Sequence, residues 1–448
     1  MTSFTPDTFN ILDDLIRRAK KFGATDADAL LSDAESISVT RRLGKQESLQ
    51  RSEEADIGLR VFVGRKQAIV SSSDRAPESL DQMAERAVAM AKAVPENPYA
   101  GLADAGDLAR DFPELDLFDT TVLDVEKMNA LADRAEQTAR DVKGITNSDG
   151  AECGAGKDIT YLLASNGFKG SYSSSGYSLS VSVIAGKDAD MQVDYAYDSA
   201  CFFEDLMAPE KIGLEAAERA VRALNPRKGL TSKLPVVFDQ RLAGGMIGSL
   251  AGAISGGAVA RGTTLLKDKM GQKIFADGIT VMDDPFLKRG LRSHPFDIEG
   301  IAAQKRAIID NGVLTGWLLD LASARQLGLK STGNASRGVS SVPAPRAANF
   351  YMLPGQKTPE ELIADIEEGF YVTQLMGSGA NIVTGDYSRG AQGFWIEKGK
   401  ITYPVSEMTI AGNIRDMWLN LTPANDLKHK SGVDAPTIRV AEMVVAGG

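Results

Sequence analysis

Residues 244–260 read GGMIGSLAGAISGGAVA, seventeen uncharged positions lying between Arg241 and Arg261. Glycines at Gly244, Gly248, Gly252 and Gly256 recur every fourth residue. On an α-helix that spacing lines all four along one side, where missing side chains let another backbone come close. Each interior glycine costs roughly 1 kcal/mol against alanine, so the row costs on the order of 3–4 kcal/mol before compensation. Tight packing, or a function that needs bare backbone, must hold such a helix. The stretch is therefore expected to be a buried central helix of the second half of the chain. It is not expected to span a membrane, because seventeen residues is at the short limit for crossing a bilayer, and Met, Ile, Leu and Val supply only five of them.

Upstream of the glycine row, LPVVFD (234–239) reads as a continuous apolar strand of the buried kind. Downstream, KIFADGITVMDD, KRAIIDNGVLTGWLLD and FWIEKGKITYPVSEMTIAG read as strands with NG and KG turns. TPEELIADIEEGF is expected to be a helix, with Thr358 as N-cap and Glu361 at the capping-box position. Together these predict a C-terminal domain over 233–448 in which a curved, mostly antiparallel sheet surrounds the Gly-rich helix.

The first half has a different texture. Residues 7–22 and 78–94 carry apolar positions at helical spacing and flank alternating segments such as ADIGLRVFVG and KQAIVSSS. After a connector over 95–119, rich in Pro, Gly and Asp, a helix at about 125–142 leads into strands and then a helix at about 209–224. This predicts an α+β N-terminal domain over 1–225, divisible into units 1–95 and 120–225. NPRKGLTSK (225–233) is the boundary.

At 448 residues, 43% hydrophobic and 25% charged, the chain has an ordinary globular balance. A net charge of −10 argues against a nucleic-acid surface, which needs a basic footprint. The opening MTSFTPDTFNILDDLIRR lacks the apolar core of a signal peptide, so a cytoplasmic location is expected. Cys153 and Cys201 are too few for a disulfide scaffold and match no zinc spacing; they are expected to be buried or idle.

Only two histidines occur, His294 in RSHPFD and His429 in LKHKSG, and both are expected at the surface. Neither HExxH nor a Walker A loop is present. The serine run SYSSSGYSLS (171–180) could offer hydroxyls to a ligand, but is expected to be a solvated strand edge and turn. In TGDYSRGAQGFWIEKGKITYP (384–404), Asp386 and Arg389 flank Tyr387 and Ser388 between glycines. A guanidinium and backbone amides there could meet a peptide carboxylate or carbonyl; the alternative is a hairpin turn closed by an Asp–Arg pair.

The strings LPVVFD, ARQLGLKSTGN, FYMLPG and GDYSRGAQGFWIEKGKITYPVSEMTIAGN, in that order, resemble the TldD/PmbA family and specifically its PmbA (TldE) branch. The resemblance implies two-domain cytoplasmic proteins in which a TldD-type chain carries HExxxH on the central helix, with a later Cys completing a zinc site, and a PmbA-type chain partners it. In this sequence the family's first His position falls on Gly248, its Glu on Ser249 and its second His on Ala253. The Cys-bearing loop is shortened to SGVDAPTIRV, without a thiol. Zinc catalysis needs about three protein ligands and a positioned base. The resemblance therefore implies no metal or catalytic residue in this chain, zinc in a TldD-type partner, and a subunit that helps enclose and select peptides. Asp386, Tyr387 and Arg389 are the expected substrate contacts. The other reading it carries is a non-enzymatic, homodimeric peptide-binding or regulatory protein of the DNA gyrase modulator kind.

Overall fold

The computed structural model describes residues 6–447. The first five residues of the segment read for a signal peptide, and Gly448, lie outside the described residues.

Helix α1 (Pro6–Phe22) buries Leu12, Leu15, Ile16 and Ala19, the i, i+3, i+4, i+7 stripe that its sequence specifies. Strands β1 (Asp26–Arg42), β2 (Lys45–Val63) and β3 (Lys66–Ser72) follow as an antiparallel meander. Leu43 and Gly44 turn β1 into β2 with φ of 50° and 75°, the left-handed pair that matches strand twist. Helix α2 (Pro77–Ala93) returns across the meander. Helix α3 (Val125–Arg140), strands β4 (Ile145–Ala164), β5 (Lys169–Ala185) and β6 (Gln192–Ala200), and helix α4 (Pro209–Arg222) complete the first half.

All six strands form one antiparallel sheet in the order β3-β2-β1-β4-β5-β6. β1 pairs with β4 from Asp28↔Ala164 to Arg41↔Ala151, so units 1–95 and 120–225 share a single sheet. Each keeps its own core: α1 and α2 cover one end of the long strands, α3 and α4 the other. The connector is also ordered by contact. Arg325 donates to the carbonyls of Tyr99, Gly101 and Leu102, Ser175 N donates to Leu117 O, and the strap runs along the seam with the second domain.

In the second domain, Ser232–Phe238, Glu368–Met376, Asp386–Glu397, Lys400–Asn413 and Ile438–Gly447 form one curved sheet. Ile438–Gly447 pairs with both Ser232–Phe238 and Lys400–Asn413, which closes the five strands into a small barrel. The expected KG and NG turns are present, with Lys398–Gly399 and Asn311–Gly312 at positive φ. A second sheet contains Val281–Asp284, Arg306–Asp310, Val313–Leu314, Asn349–Met352 and Val433–Asp434. The Gly-rich helix packs on the barrel strand Glu368–Met376 and on this second sheet.

That helix differs from the single element expected over 244–260. It is α5 (Gln240–Ala253) followed by α6 (Gly256–Arg261). The ladder breaks because Leu318 enters it: Leu318 N donates to Ile254 O, and Gly256 N donates to Leu318 O at 2.7 Å. Nor is the glycine row what α5 buries. Ala243, Met246, Ile247, Leu250 and Ala253 face the core, whereas Gly252 is exposed and Gly248 only partly covered. The other helix prediction is shortened. Thr358 and Glu361 do form the reciprocal capping box, but the helix ends at Ile363, and Glu368–Gly369–Phe370 already belong to a barrel strand.

Candidate functional site

Two places carry the chemistry that the fold makes available: the open face of α5, and a cavity between the six-stranded sheet and the second domain.

Helix α5 starts at Asp239, whose carboxylate accepts from Arg241 N. The Arg241 guanidinium makes two bonds to Asp194 of β6, at 2.6 and 3.0 Å, pinning the helix start to the first domain. On the open face, Gly245 has nothing within 4 Å of where a Cβ would stand, and Gly252 meets only Ile382. Ser249 Oγ is turned back to Gly245 O at 3.2 Å, a local bond within the helix. The SGVD loop lies across the face at Gly244 and Gly248, where Val433 is the neighbour of both. Its Asp434 carboxylate is committed to the backbone N–H groups of Lys430, Ser431 and Gly432.

The three positions singled out by the resemblance are Gly248, Ser249 and Ala253. Gly248 and Ser249 border the open face, but Ala253 is 0% exposed and part of the main core. Five residues on a helix is 500°, so Ala253 sits 140° around from Gly248. A zinc ion does not fit these residues: none offers a donor side chain suited to it, and one faces the core. Among the described residues no three His, Cys, Asp or Glu side chains gather into a metal-binding group.

The strand Asp386–Glu397 places the expected substrate contacts on two faces. Tyr387 and Arg389 share one, and Asp386 takes the other, as strand alternation requires. The alternative of a turn closed by an Asp386–Arg389 pair is not formed: the segment is regular strand paired to Lys400–Asn413, and Asp386 bonds the Thr384 hydroxyl at 2.6 Å. Tyr387 is buried, which pushes its phenol up to about 12 against the opposing pull of Arg389. Arg389 Nε is buried without a hydrogen-bond partner.

The cavity, of about 760 Å³, has the six-stranded sheet as its floor. Glu54, Ala34, Asp158 and Ser174 form one row across β2, β1, β4 and β5. The serine run contains no turn: it lies wholly within β5, paired to β4 along its length and to β6 only from Tyr177. Residues 171–176 therefore form a strand edge facing the connector at Leu117, and alternation brings Tyr172, Ser174 and Gly176 to the cavity. The roof is Arg292, His294, Phe296, Arg337 and Arg346 of the second domain. His294 is therefore half-buried in a cavity wall and not out on the open surface. Its Nδ1 lies 3.0 Å from Arg292 O, and burial, with Arg346 nearby, holds its pKa below the ordinary value. His429 is exposed and meets the Tyr351 ring edge-on.

At one end of the cavity the two domains are joined by buried charge. Arg60 Nη2 lies 2.5 Å from Asp28 Oδ2, and Arg60 Nη1 lies 3.4 Å from Glu299. Arg337 also pairs with Asp28. Burial and the neighbouring Glu299 carboxylate push Asp297 up to about 8, opposed by the amides of Ile301, Ala335 and Glu299. No periodicity announces this cluster, since its members come from 28, 60, 297, 299 and 337 and meet only when the domains dock.

Both cysteines are free and buried, as expected. Among the described residues no helix is long and apolar enough to cross a membrane.

Comparison with known proteins matches this architecture throughout. Residues 27–91 fit the PmbA/TldA metallopeptidase domain 1, residues 118–224 the central domain and residues 231–447 the C-terminal domain. The Metalloprotease PmbA of Escherichia coli O157:H7 is 40% identical over 424 residues, 94% of this chain and 92% of that protein. A crystal structure of a candidate modulator of DNA gyrase from Bacteroides thetaiotaomicron superposes with a TM-score of 0.91 at 28% identity, covering 99% of this chain and 100% of that one. TldE from Thermococcus kodakarensis shares the fold, with a TM-score of 0.88 at 22% identity over 98% of this chain and 100% of that one. With its three domains, its barrel and its α5 accounted for, the chain belongs to the PmbA/TldD metallopeptidase family, in the PmbA branch.

Proposed function

We propose that this chain is a non-catalytic subunit of a TldD/PmbA-type metalloprotease complex, in which it helps to enclose and select peptides for cleavage by a zinc-bearing TldD-type partner. One observation carries the reading: at the positions to which the resemblance assigns the HExxxH ligands and base, α5 has Gly248, Ser249 and a core-facing Ala253. A bare helix face flanked by the SGVD loop is suited to a passing backbone, which hydrogen-bonds without regard to sequence. Asp386, Tyr387 and Arg389 are the proposed peptide contacts, with Arg389 foremost because its Nε is buried and unpartnered. Zinc belongs to the partner, and the complex works in the cytoplasm.

The test is peptide hydrolysis by this chain, by a TldD-type chain and by their mixture, with zinc quantified in each. The reading expects cleavage by the mixture only, at about one zinc per heterodimer, and a lower turnover when the mixture carries Arg389→Ala. Cleavage by this chain alone would overturn it.

A second reading, a non-enzymatic homodimeric peptide-binding or regulatory protein, is favoured by the likeness to the Bacteroides gyrase-modulator candidate. It predicts that the chain purifies without a stoichiometric second subunit. The net charge of −10 directs such a role toward a protein partner and away from direct DNA contact.

A further inference from the structure

Arg292 and Arg346 line the roof of the 760 Å³ cavity, and among the described residues neither guanidinium makes an ion pair or a side-chain hydrogen bond to a protein acceptor. They lie in each other's field. Burial and then the Arg346 charge lower the Arg292 pKa, with Asp434 opposing, and the same Arg346 charge reaches His294 and the Tyr172 phenol on the floor. Arg346 is exposed and Arg292 half-buried, so both guanidiniums are open to an arriving anion. A third arginine of the same wall, Arg337, has a side chain 0% exposed and two nitrogens, Nε and Nη1, with no hydrogen-bond partner. Buried guanidinium nitrogens are rarely left so.

The opposite wall has the opposite sign. Glu54, Asp56 and Asp158 reach the cavity from the floor, with Glu54 exposed at its rim. Ser174 is a neutral hydroxyl donor and acceptor on that floor, and nothing stands within 4 Å of where a Cβ on Gly176 would be, so the floor there is bare. The aromatic ring of Phe296, stacked edge-on with Tyr172 at 5.5 Å, closes one side. Pockets for small ligands run about 300–1,000 Å³, so the volume suits a compact molecule.

We propose that this cavity binds a short zwitterionic ligand, a free peptide of two or three residues, with its carboxylate on Arg292 and Arg346 and its ammonium toward Glu54, Asp56 and Asp158. A guanidinium pair recognises a carboxylate with fixed geometry. An inorganic phosphate dianion satisfies the roof equally but meets three carboxylates below it, so the acidic floor selects against it. No residue of α5 lines the cavity, so the site is separate from that helix.

Isothermal titration calorimetry on the full chain tests this with trialanine, its C-terminal amide, its N-acetyl derivative and inorganic phosphate. Trialanine is expected to bind one per chain. Blocking either end, or substituting Arg292→Gln or Arg346→Gln, is expected to weaken binding roughly tenfold or more, the equivalent of losing one charge-assisted hydrogen bond. Phosphate is expected to bind more weakly than trialanine. The blocked ligands act on the unaltered protein, so the result does not depend on the variants folding. Absence of trialanine binding at millimolar concentration, equal binding of the amide or of the acetylated form, or phosphate binding as tight as trialanine would each overturn the proposal.

Discussion

A Cβ placed on Gly244 would stand 2.4 Å from the carbonyl oxygen of Val433. Helix α5 and the SGVD loop therefore meet backbone to backbone, and the first glycine of the row is required by that approach. Only Gly244 in the α5 part of the row is so constrained. Gly248 would meet Val433 Cγ1 at 3.8 Å, Gly252 would meet Ile382 at 3.9 Å, and the neighbouring Gly245 would meet nothing.

Opposite signs are expected for adjacent alanines. Gly244→Ala must push the loop carbonyl aside and should destabilise by about 1–3 kcal/mol. Gly245→Ala fills open space on a helix and should stabilise by about 0.5–1 kcal/mol. Urea unfolding of both variants reads the difference; a stabilised Gly244→Ala would show that the loop yields freely.

Rebuilding the HExxxH pattern in this chain should not produce a zinc site. In the triple variant Gly248→His, Ser249→Glu, Ala253→His, the last imidazole enters a position that is 0% exposed among Met246, Ile247 and Leu250. Overpacking there should cost on the order of 1–3 kcal/mol or more. Metal analysis after dialysis should find well under one zinc per chain, together with a lowered melting temperature. Stoichiometric zinc would mean that the end of α5 can rotate.

The helices of the first half were legible because their apolar stripes are long and regular. Leu12, Leu15, Ile16 and Ala19 of α1, and Leu80, Met83, Ala87 and Ala91 of α2, are buried as their spacing requires. The NG and KG turns were equally plain, since left-handed φ values restrict the residues that serve. What failed was local reading where a distant segment decides. The break in the glycine helix is made by Leu318, some sixty residues downstream, and Glu368–Phe370 became strand because Val236 lies beside Phe370 in the barrel. The serine run shows the same limit. Its alternation of Tyr172, Ser174 and Gly176 is a strand signal, but the cavity above it exists only once residues 292–346 fold over the sheet. Arg292 and Arg346 carry no motif at all.

Arg60 should be among the most costly single positions in the chain. Its guanidinium serves Asp28 of its own domain and Glu299 of the other, with all three side chains at most 3% exposed. Arg60→Met leaves Glu299 without its cation and should cost about 3–5 kcal/mol. Urea unfolding checks the magnitude. Unfolding should remain a single transition, because Arg337–Asp28 and Arg241–Asp194 still couple the domains; a loss under 1 kcal/mol would mean that Arg337 takes over.

Alkaline pH should weaken the fold through the two thiols. Burial, and then Glu152, push Cys153 up to about 11; burial, and then Asp205, do the same for Cys201. The ordinary value is 9.0. A folded-state pKa above the unfolded one gives stability that is whole below the unfolded value and is lost as pH rises toward the folded one. Between pH 8 and pH 10 each thiol should therefore remove about 1 kcal/mol, since the unfolded chain ionises first. Urea unfolding at the two pH values measures the slope, and Cys153→Ala should lose its share of it. Ellman's reagent provides the kinetic counterpart: with Cys153 0% and Cys201 4% exposed, modification should proceed only at the rate of unfolding. Rapid labelling of either thiol in the native protein at pH 8 would show that the burial seen here opens locally, and the pH slope should then be correspondingly shallow.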